Sequence, residues 1–91
     1  MIVEWDPAKA AGNRRKHGVD FGEAVTTLED FLSTTYPDPD HSIDERRFVT
    51  IGVSARGRIL VVAHADRRAA VRIMSARPAT PRERRFYEEG K

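Results

Sequence analysis

The chain has 91 residues, 40% of them hydrophobic, which is enough for one modest core and leaves no room for a second. It contains no cysteine, and this excludes disulfides, thiolate metal ligands and a thiol nucleophile. The N-terminal segment lacks the apolar run of a signal peptide, and no later stretch has the length of a membrane span. We therefore expect one soluble domain over residues 1–91, located in the cytoplasm.

The charged side chains are distributed unevenly along the chain. Residues 1–45 carry 4 basic and 10 acidic side chains, whereas residues 46–91 carry 12 basic and 4 acidic ones. This asymmetry indicates that one surface meets an anionic partner, with nucleic acid as the first candidate. Arginine accounts for 13 of the 16 basic residues, and an arginine-rich coding bias would produce the same excess without any partner.

The first elements predicted are a short extended segment and a helix. The extended segment covers Ile2 to Trp5. Asp6 followed by Pro7 is a strong helix start, because the first residue caps the helix and the second fits its first turn. The helix is expected to end at Gly18, a natural left-handed cap that follows several basic residues.

A second helix and a loop come next. Asp20 and Glu23 form a capping-box pattern for a helix over residues 21–30. The apolar side chains that recur on one face of this helix are Phe21, Ala24, Val25 and Leu28. The polar, proline-containing stretch from Tyr36 to Glu45 then predicts a loop.

Three strands are predicted over residues 46–54, 58–65 and 71–76, the first two joined as a hairpin by a glycine-containing turn. The middle strand is apolar on both faces, which favours a position at the centre of a sheet. Thr80, Pro81 and Glu83 repeat the pattern of cap, proline and glutamate and begin a last helix. The order of elements predicts an α+β fold, with N-terminal helices, an antiparallel β-sheet of three to four strands and a C-terminal helix.

Several kinds of active site are disfavoured by the residues present. The three histidines, His17, His41 and His64, share no ligand spacing, so we expect no metal site. The glycines mark turns instead of forming a phosphate-binding loop, and no serine nucleophile elbow occurs. We therefore expect neither a cofactor nor a triad hydrolase.

What remains is a set of arginines, histidines and carboxylates near strand ends. A guanidinium matches phosphate through a planar fork and keeps its charge at every relevant pH. It can also stabilise the extra charge that a phosphodiester gains in its transition state, while a histidine or a carboxylate transfers the proton. Because the 2′-hydroxyl of RNA is itself a nucleophile, such groups suffice for a metal-independent ribonuclease.

Structural roles compete with functional ones at single positions. His17 lies at a helix end, where a cation interacts favourably with the helix dipole. His64 shares a predicted strand face with Leu60 and Val62, so it is either a buried structural histidine or a contact for RNA.

Two arginines occupy less ordinary positions. Arg47 alternates with apolar residues on one strand face, although a strand end would let it reach solvent. Arg77 ends the last strand beside the N-terminus of the last helix, where free amides favour an anion. The arginines of that helix, Arg82, Arg84 and Arg85, are predicted to be solvated surface.

Three blocks of the sequence resemble the BrnT family of toxins. They read "EWDPAKAAGNRRKHGVDFGEA", "DPDHSIDERRFVTIGVSARGRILVV" and "RIMSARPATPRERRFYEEG", and together they cover nearly the whole chain in the family's order. The resemblance implies a toxin of a type II toxin–antitoxin system, a ribonuclease with a RelE-like α+β fold. It also implies a BrnA-type antitoxin that wraps the toxin and binds operator DNA, so that the toxin meets DNA only in the complex.

The resemblance also points to particular residues, those that match the family's polar motif positions. They are Lys16, His17, Glu45, Arg47, Arg67, Arg72 and Arg77. We expect His17, Glu45, Arg47, Arg67 and Arg77 to be catalytic, and Lys16, Arg72 and His64 to bind RNA. In this hypothesis His17 or Glu45 transfers the proton and the arginines bind the phosphate. Met74 replaces the family's isoleucine, which affects packing, and the stretch from His64 to Arg72 is variable in the family.

Two alternatives remain at this point. The same basic surface would suit a non-catalytic nucleic-acid-binding or regulatory module. It would also suit a small interaction domain whose arginines pair with an acidic protein.

Overall fold

A computed structural model describes residues 1–41 and 45–90 of the chain. In chain order the elements are β1 (Ile2–Glu4), α1 (Pro7–His17), α2 (Phe21–Leu28), β2 (Thr34–Pro37), a 3-10 turn (Pro39–His41), β3 (Arg47–Val53), β4 (Ile59–Arg67), β5 (Ala70–Pro78) and α3 (Pro81–Glu88). Within these two ranges, no helix combines the length and the apolar character that crossing a membrane requires.

The five strands form one sheet in the order β1-β5-β4-β3-β2, with β4 at the centre as predicted. β1 runs parallel to β5, and the other neighbouring strands are antiparallel. The α+β fold with two N-terminal helices and a C-terminal one is confirmed. The prediction of an antiparallel sheet of three to four strands is approximate, because the described part of the chain forms five strands and one pair is parallel.

Two short edge strands account for this difference. β2 covers Thr34–Pro37 and so overlaps the start of the predicted loop. A polar segment with proline gives little strand signal, yet proline is tolerated where an edge strand faces solvent. The sequence predicts an extended segment at β1, but a segment of three residues does not indicate which strand it pairs with. In the structure β1 pairs with Ala70–Arg72 of β5. Residues 42–44 of the predicted loop lie outside the described part of the chain.

Helices α1 and α2 cover one face of the sheet and form the core with it. Its fully enclosed members are Val19, Phe21, Ala24, Leu60, Val62, Ile73 and Ala76. The predicted apolar face of α2 is confirmed, since Val25 and Leu28 pack against the same cluster. Trp5 closes one side with its ring edge-on to Phe21, at 6.0 Å between centroids.

Helix α3 lies on the opposite face. Residues paired across neighbouring strands point to the same side of a sheet, and successive residues point to opposite sides. Val61 and its β3 partner Ile51 therefore point away from α1 and α2, and both are buried. Phe86 of α3 packs on this side against Tyr36 of β2, at 5.7 Å between ring centroids.

The helix ends follow the sequence signals, with one exception. The Asp6 side chain caps α1, Gly18 ends it at φ 69°, and Thr80 with Glu83 forms a complete capping box on α3. The capping box predicted for α2 is wrong, because the Asp20 side chain makes no cap bond and instead pairs with Arg14.

The carboxylate of Glu23, the other half of that predicted box, has a different role. It is buried and accepts hydrogen bonds from Arg58 Nε at 2.9 Å and Ser54 Oγ at 2.7 Å. The bonded Arg58 guanidinium holds the pKa of Glu23 below its usual value despite burial. Glu23 therefore ties α2 to the turn between β3 and β4, which a local sequence pattern does not indicate.

A β-bulge in β5 decides which side chains share a face. Ala63 pairs with Ser75 and His64 pairs with Ile73, so Met74 is an extra residue in β5. Simple alternation would place Arg72 and Arg77 on opposite faces. With the extra residue, both lie on the face away from α1 and α2.

Close packing around Gly52 brings the end of α2 onto β3. A Cβ atom at this position would lie 2.9 Å from Ser33 Cβ, a distance that real Cβ atoms essentially never show, and 3.0 Å from Asp30 Oδ2, so these neighbours would have to move. The same Asp30 oxygen accepts hydrogen bonds from the Val53 amide at 2.9 Å and from the Tyr87 hydroxyl of α3. One carboxylate thus joins the α2 end, β3 and α3.

The buried Asn13 joins α1 to β5. Its side-chain amide donates to Ala76 O at 2.8 Å and to Val19 O at 2.9 Å, and its carbonyl accepts from Ala76 N at 3.0 Å. Asparagine has a low helix propensity and is unfavourable in a helix interior. Its position here is explained by the backbone groups of β5, which it satisfies as a neighbouring strand would.

Replacing Asn13 with alanine should destabilise the protein strongly. The change would remove three buried hydrogen bonds and leave the Ala76 amide and carbonyl without partners, each at a cost of roughly 1–3 kcal/mol. We expect the free energy of unfolding to fall by about 3 kcal/mol or more in denaturant titrations. Arg15→Ala, an exposed change on the same helix, should stay within about 0.5 kcal/mol of wild type. Equal stability of the two variants would contradict this assignment.

Candidate functional site

The sheet face opposite α1 and α2 carries three of the predicted arginines. Strand pairing sets them in rows across β3, β4 and β5: Arg47, Ala65 and Arg72 in one row, Val49, Ala63 and Ser75 in the next, and Ile51, Val61 and Arg77 in the third. Helix α3 covers the third row, whereas the first two have only alanine on the central strand β4. We call the surface formed by Arg47, Arg72, Arg77, Ala63 and Ser75 the arginine face.

Each of the three arginines contacts a carboxylate. The pairs are Arg47 with Glu45 at 3.5 Å, Arg72 with Glu4 at 3.1 Å and Arg77 with Glu83 at 2.7 Å. The arginine side chains remain between 22% and 39% exposed. The carboxylates therefore orient guanidinium groups that are still open to solvent on one side, which is a suitable arrangement for sharing them with an anion.

Arg77 makes the most extensive of these contacts. Its two terminal nitrogens bind the two oxygens of Glu83 at 2.7 and 2.9 Å, and Glu83 also accepts from the Thr80 amide. The paired guanidinium lowers the pKa of Glu83 to about 2. Arg77 lies beside the start of α3, where the sequence placed it, and the fork of its guanidinium joins β5 to that helix.

A pocket of about 240 Å³ opens at the Arg47 end of the arginine face. It is lined by Asp38, His41, Arg47, Phe48, Ala63, His64, Met74 and Ser75. His41 belongs to the 3-10 turn before β3, and its Nδ1 lies 3.0 Å from Asp38 Oδ2. A histidine oriented by a carboxylate therefore lines the same pocket as an arginine and an exposed serine.

His41 is absent from the site residues predicted from the sequence, where it counted only as a possible metal ligand. The signal was the spacing of Asp38 and His41, since residues three apart in a helical turn lie on one side of it. The surrounding "YPDPDH" has the composition of a loop, and such a composition gives no sign of a helical turn.

His64 lines the same pocket but is buried at 8% exposure. Its Nε2 is 2.7 Å from Thr50 Oγ1, and its ring stacks on Phe48 at 5.8 Å between centroids. Burial lowers the pKa of His64, which favours the neutral ring. Its Nδ1 has no hydrogen-bond partner among the described residues.

Lys16 and His17 lie far from Arg47. They end α1 just before Gly18, whose carbonyl accepts a hydrogen bond from Arg58 at the hairpin end of the sheet. Arg47 is at the opposite end of β3, and that strand of seven residues spans about 20 Å at roughly 3.4 Å per residue. The structure thus brings Glu45 to Arg47 but leaves Lys16 and His17 at the other end of the sheet.

Arg67 is exposed at the end of β4, near Arg72. With Arg68 and Glu4 it lines a second open cleft of about 390 Å³ beside the turn between β4 and β5. Glu4 also binds Arg72 at 3.1 Å, so this cleft continues the first row of the arginine face. In residues 1–41 and 45–90 no group of three or more histidine and acidic side chains is arranged to hold a metal ion.

The fold and the site define a small α+β protein with a basic sheet face suited to an anionic backbone. Comparison with known proteins identifies the family. A model described as "ribonuclease toxin, BrnT, of type II toxin-antitoxin system" matches residues 5–83, and the chain belongs to this family. The family resemblance found in the sequence is thereby confirmed.

A solved structure agrees with this assignment. The chain is similar to the Brucella abortus ribonuclease toxin BrnT, known from a crystal structure, with a TM-score of 0.70 and 28% sequence identity. The match covers 88% of this chain and 97% of the Brucella chain. No curated protein sequence gives a significant match. Membership of the family implies an RNA substrate and an antitoxin protein as partner.

Replacing Arg77 with alanine should make the protein less stable and less sensitive to acid. We expect a loss of about 1 kcal/mol at neutral pH, since solvent screens pairs this exposed. A lowered pKa makes Glu83 stabilising above its ordinary value of 4.5, and this contribution disappears as the pH falls through about 2. Urea titrations between pH 4.5 and 2 should therefore show a shallower fall for Arg77→Ala than for wild type.

Arg84→Ala is the matched control for this prediction, because Arg84 is exposed on α3. It should follow the wild-type pH dependence throughout. An Arg77→Ala protein with the wild-type slope would show that the pair with Glu83 does not contribute to the stability of the fold.

Proposed function

We propose that the chain is a metal-independent endoribonuclease toxin and that RNA is cut at the Arg47 pocket. The observation that supports this most is an oriented guanidinium in an open pocket beside a carboxylate-bound histidine, in a chain of the ribonuclease toxin family. Cleavage of messenger RNA would stop translation and growth. This activity fits a cytoplasmic location.

The proposed reaction uses the RNA's own 2′-hydroxyl as the nucleophile. The 2′-oxygen attacks the adjacent phosphorus, the bond to the 5′-oxygen breaks, and a 2′,3′-cyclic phosphate remains. Arg47 would bind the non-bridging oxygens, whose charge grows in the transition state. Glu45, 3.5 Å from Arg47, would orient the guanidinium.

The other arginines would bind neighbouring phosphates. Arg72 lies two strands from Arg47 in the same row, about 10 Å away at roughly 4.8 Å per strand. Arg67 extends the basic surface into the second cleft. Arg77 lies at the opposite end of the arginine face, in its third row. A single RNA strand could follow this path across the sheet. Functional roles for Lys16, His17 and His64 remain predictions from the sequence.

The proposed partner is a BrnA-type antitoxin. It would neutralise the toxin by covering the arginine face, and it would carry the contacts to operator DNA, so that the toxin reaches DNA only through the complex. The uneven charge distribution supports an acidic partner surface on the basic, C-terminal half of the chain. The likeness of the fold to RelE, which the family resemblance implied, belongs to the same proposal.

Expression of the chain without its antitoxin should arrest bacterial growth and lower bulk translation. Arg47→Ala should abolish the effect, since loss of one transition-state contact of roughly 2–4 kcal/mol slows cleavage about 30- to 1000-fold. Arg47→Lys should restore little, because a point charge does not replace the fork. Arg84→Ala, exposed on α3, should remain toxic. Normal growth with soluble wild-type protein would argue instead for a non-catalytic binding module.

Cleavage should persist when metal ions are removed. The described residues offer no set of ligands for a metal, and the proposed chemistry needs only a guanidinium and a proton acceptor. The purified protein should cut an all-RNA substrate at the same rate with and without excess EDTA. Loss of activity in EDTA that returns on adding magnesium or zinc would overturn the metal-independent mechanism.

A further inference from the structure

The reaction proposed above needs a proton acceptor, and the pocket contains a candidate that neither the sequence reasoning nor the family description assigns. His41 is 67% exposed, so its ring can meet a substrate. Both Asp38 oxygens lie within hydrogen-bond distance of Nδ1, at 3.0 and 3.2 Å. Asp38 itself is only 26% exposed, which limits its freedom to move away.

The contact with Asp38 decides which ring nitrogen can act. A carboxylate accepts hydrogen bonds, so its approach to Nδ1 assigns the proton of the neutral ring to that nitrogen. Nε2 then carries the lone pair and is the basic atom. The same division of labour, a carboxylate fixing the tautomer of a general base, operates in hydrolytic triads.

The other candidates for proton transfer are less suitably placed. His64 is buried, and its Nε2 is bonded to Thr50. His17 lies at the hairpin end of the sheet, whereas Arg47 begins β3 at the opposite end, and β3 itself spans about 20 Å at roughly 3.4 Å per residue. Glu45 contacts the Arg47 guanidinium, which assigns it to orienting that group.

We propose that His41 is the general base of the ribonuclease and that Asp38 is its positioning residue. This inference rests on the proposed function. Nε2 of His41 removes the proton of the 2′-hydroxyl while the 2′-oxygen forms its bond to phosphorus. The bond from phosphorus to the 5′-oxygen breaks, and that oxygen leaves with the electron pair and takes a proton from water. The products are a 2′,3′-cyclic phosphate and a 5′-hydroxyl, and the protonated ring then returns its proton to solvent.

The test compares variants of the 3-10 turn in RNA cleavage with EDTA present. His41→Ala and His41→Gln should each lower kcat by roughly 10²- to 10⁴-fold, the usual effect of losing a general base. Asp38→Asn should lower kcat about tenfold or more with KM near wild type, because an amide can donate to Nδ1 and stabilise the wrong tautomer. Asp40→Asn is the matched control, an exposed carboxylate in the same turn and outside the described pocket lining, and it should cut normally.

Added imidazole supplies a readout that a structural role would not give. It should restore part of the cleavage by His41→Ala, whose missing ring leaves space in an open pocket, and none of the cleavage by Arg47→Ala. Circular dichroism and thermal melting would establish that the variants are folded.

The outcomes separate this inference from the proposed function. If wild type cuts no RNA, the proposed function is wrong, and the inference falls with it. If wild type cuts and both His41 variants cut at wild-type rates, only the assignment of His41 is overturned. Failure of imidazole to restore any cleavage to a folded His41→Ala protein would likewise overturn proton transfer by this ring.

Discussion

The structure depends on the hydrogen bonds between one asparagine and one strand. Within the described residues β1 pairs with β5 only as far as Arg72, and α1 takes over the outer edge of β5 at Ala76. Asn13 supplies there the donor and the acceptor that a longer β1 would have supplied. This contact fixes α1 against the sheet, and the same strand presents Arg72 and Arg77 on its other face. The core and the candidate site therefore both depend on the position of β5, which Asn13 fixes.

The two faces of the sheet follow different physical rules. Apolar side chains from α1 and α2 fill one face, where burial provides most of the stability. The other face carries guanidinium groups, each beside a carboxylate that offsets its charge and limits its motion. Three arginines on one small surface would otherwise repel each other, and the carboxylates reduce that cost before any RNA arrives. An anionic ligand must then share these arginines with the carboxylates that already bind them. The guanidinium groups are held in fixed positions, and their attraction for the ligand is weaker than that of unpaired arginines.

Local signals in the sequence predicted the elements that depend on local chemistry. The caps of α1 and α3, the apolar face of α2 and the doubly apolar central strand all have short-range patterns, and the structure contains each of them. The strand β2 lacked such a pattern because its polar residues and proline read as a loop. Glu23 was assigned to a local cap, although its carboxylate finds Arg58, 35 positions further along the chain.

The candidate site was harder to predict than the fold, for a geometric reason. The bulge at Met74 places Arg72 and Arg77 on one face, and alternation along the sequence would have separated them. Arg47 and Glu45 were predicted together, and they are together in the structure. His41 was not selected, because its significance arises from a pocket built by the 3-10 turn and three strands. The family resemblance indicates which residues are candidates for the site, but only the folded structure shows which of these residues lie close together.

The absent side chain at position 52 has a consequence for how the layers are held together. Gly52 lets Asp30 approach β3, and Asp30 in turn binds Tyr87 from the far side of the sheet. The bonded carboxylate raises the pKa of Tyr87 to about 12, so the hydroxyl keeps the proton that it donates to Asp30 at physiological pH. A methyl group on residue 52 would crowd both Ser33 and Asp30, and it would strain a contact that holds α3 in addition to the ion pair of Arg77 with Glu83.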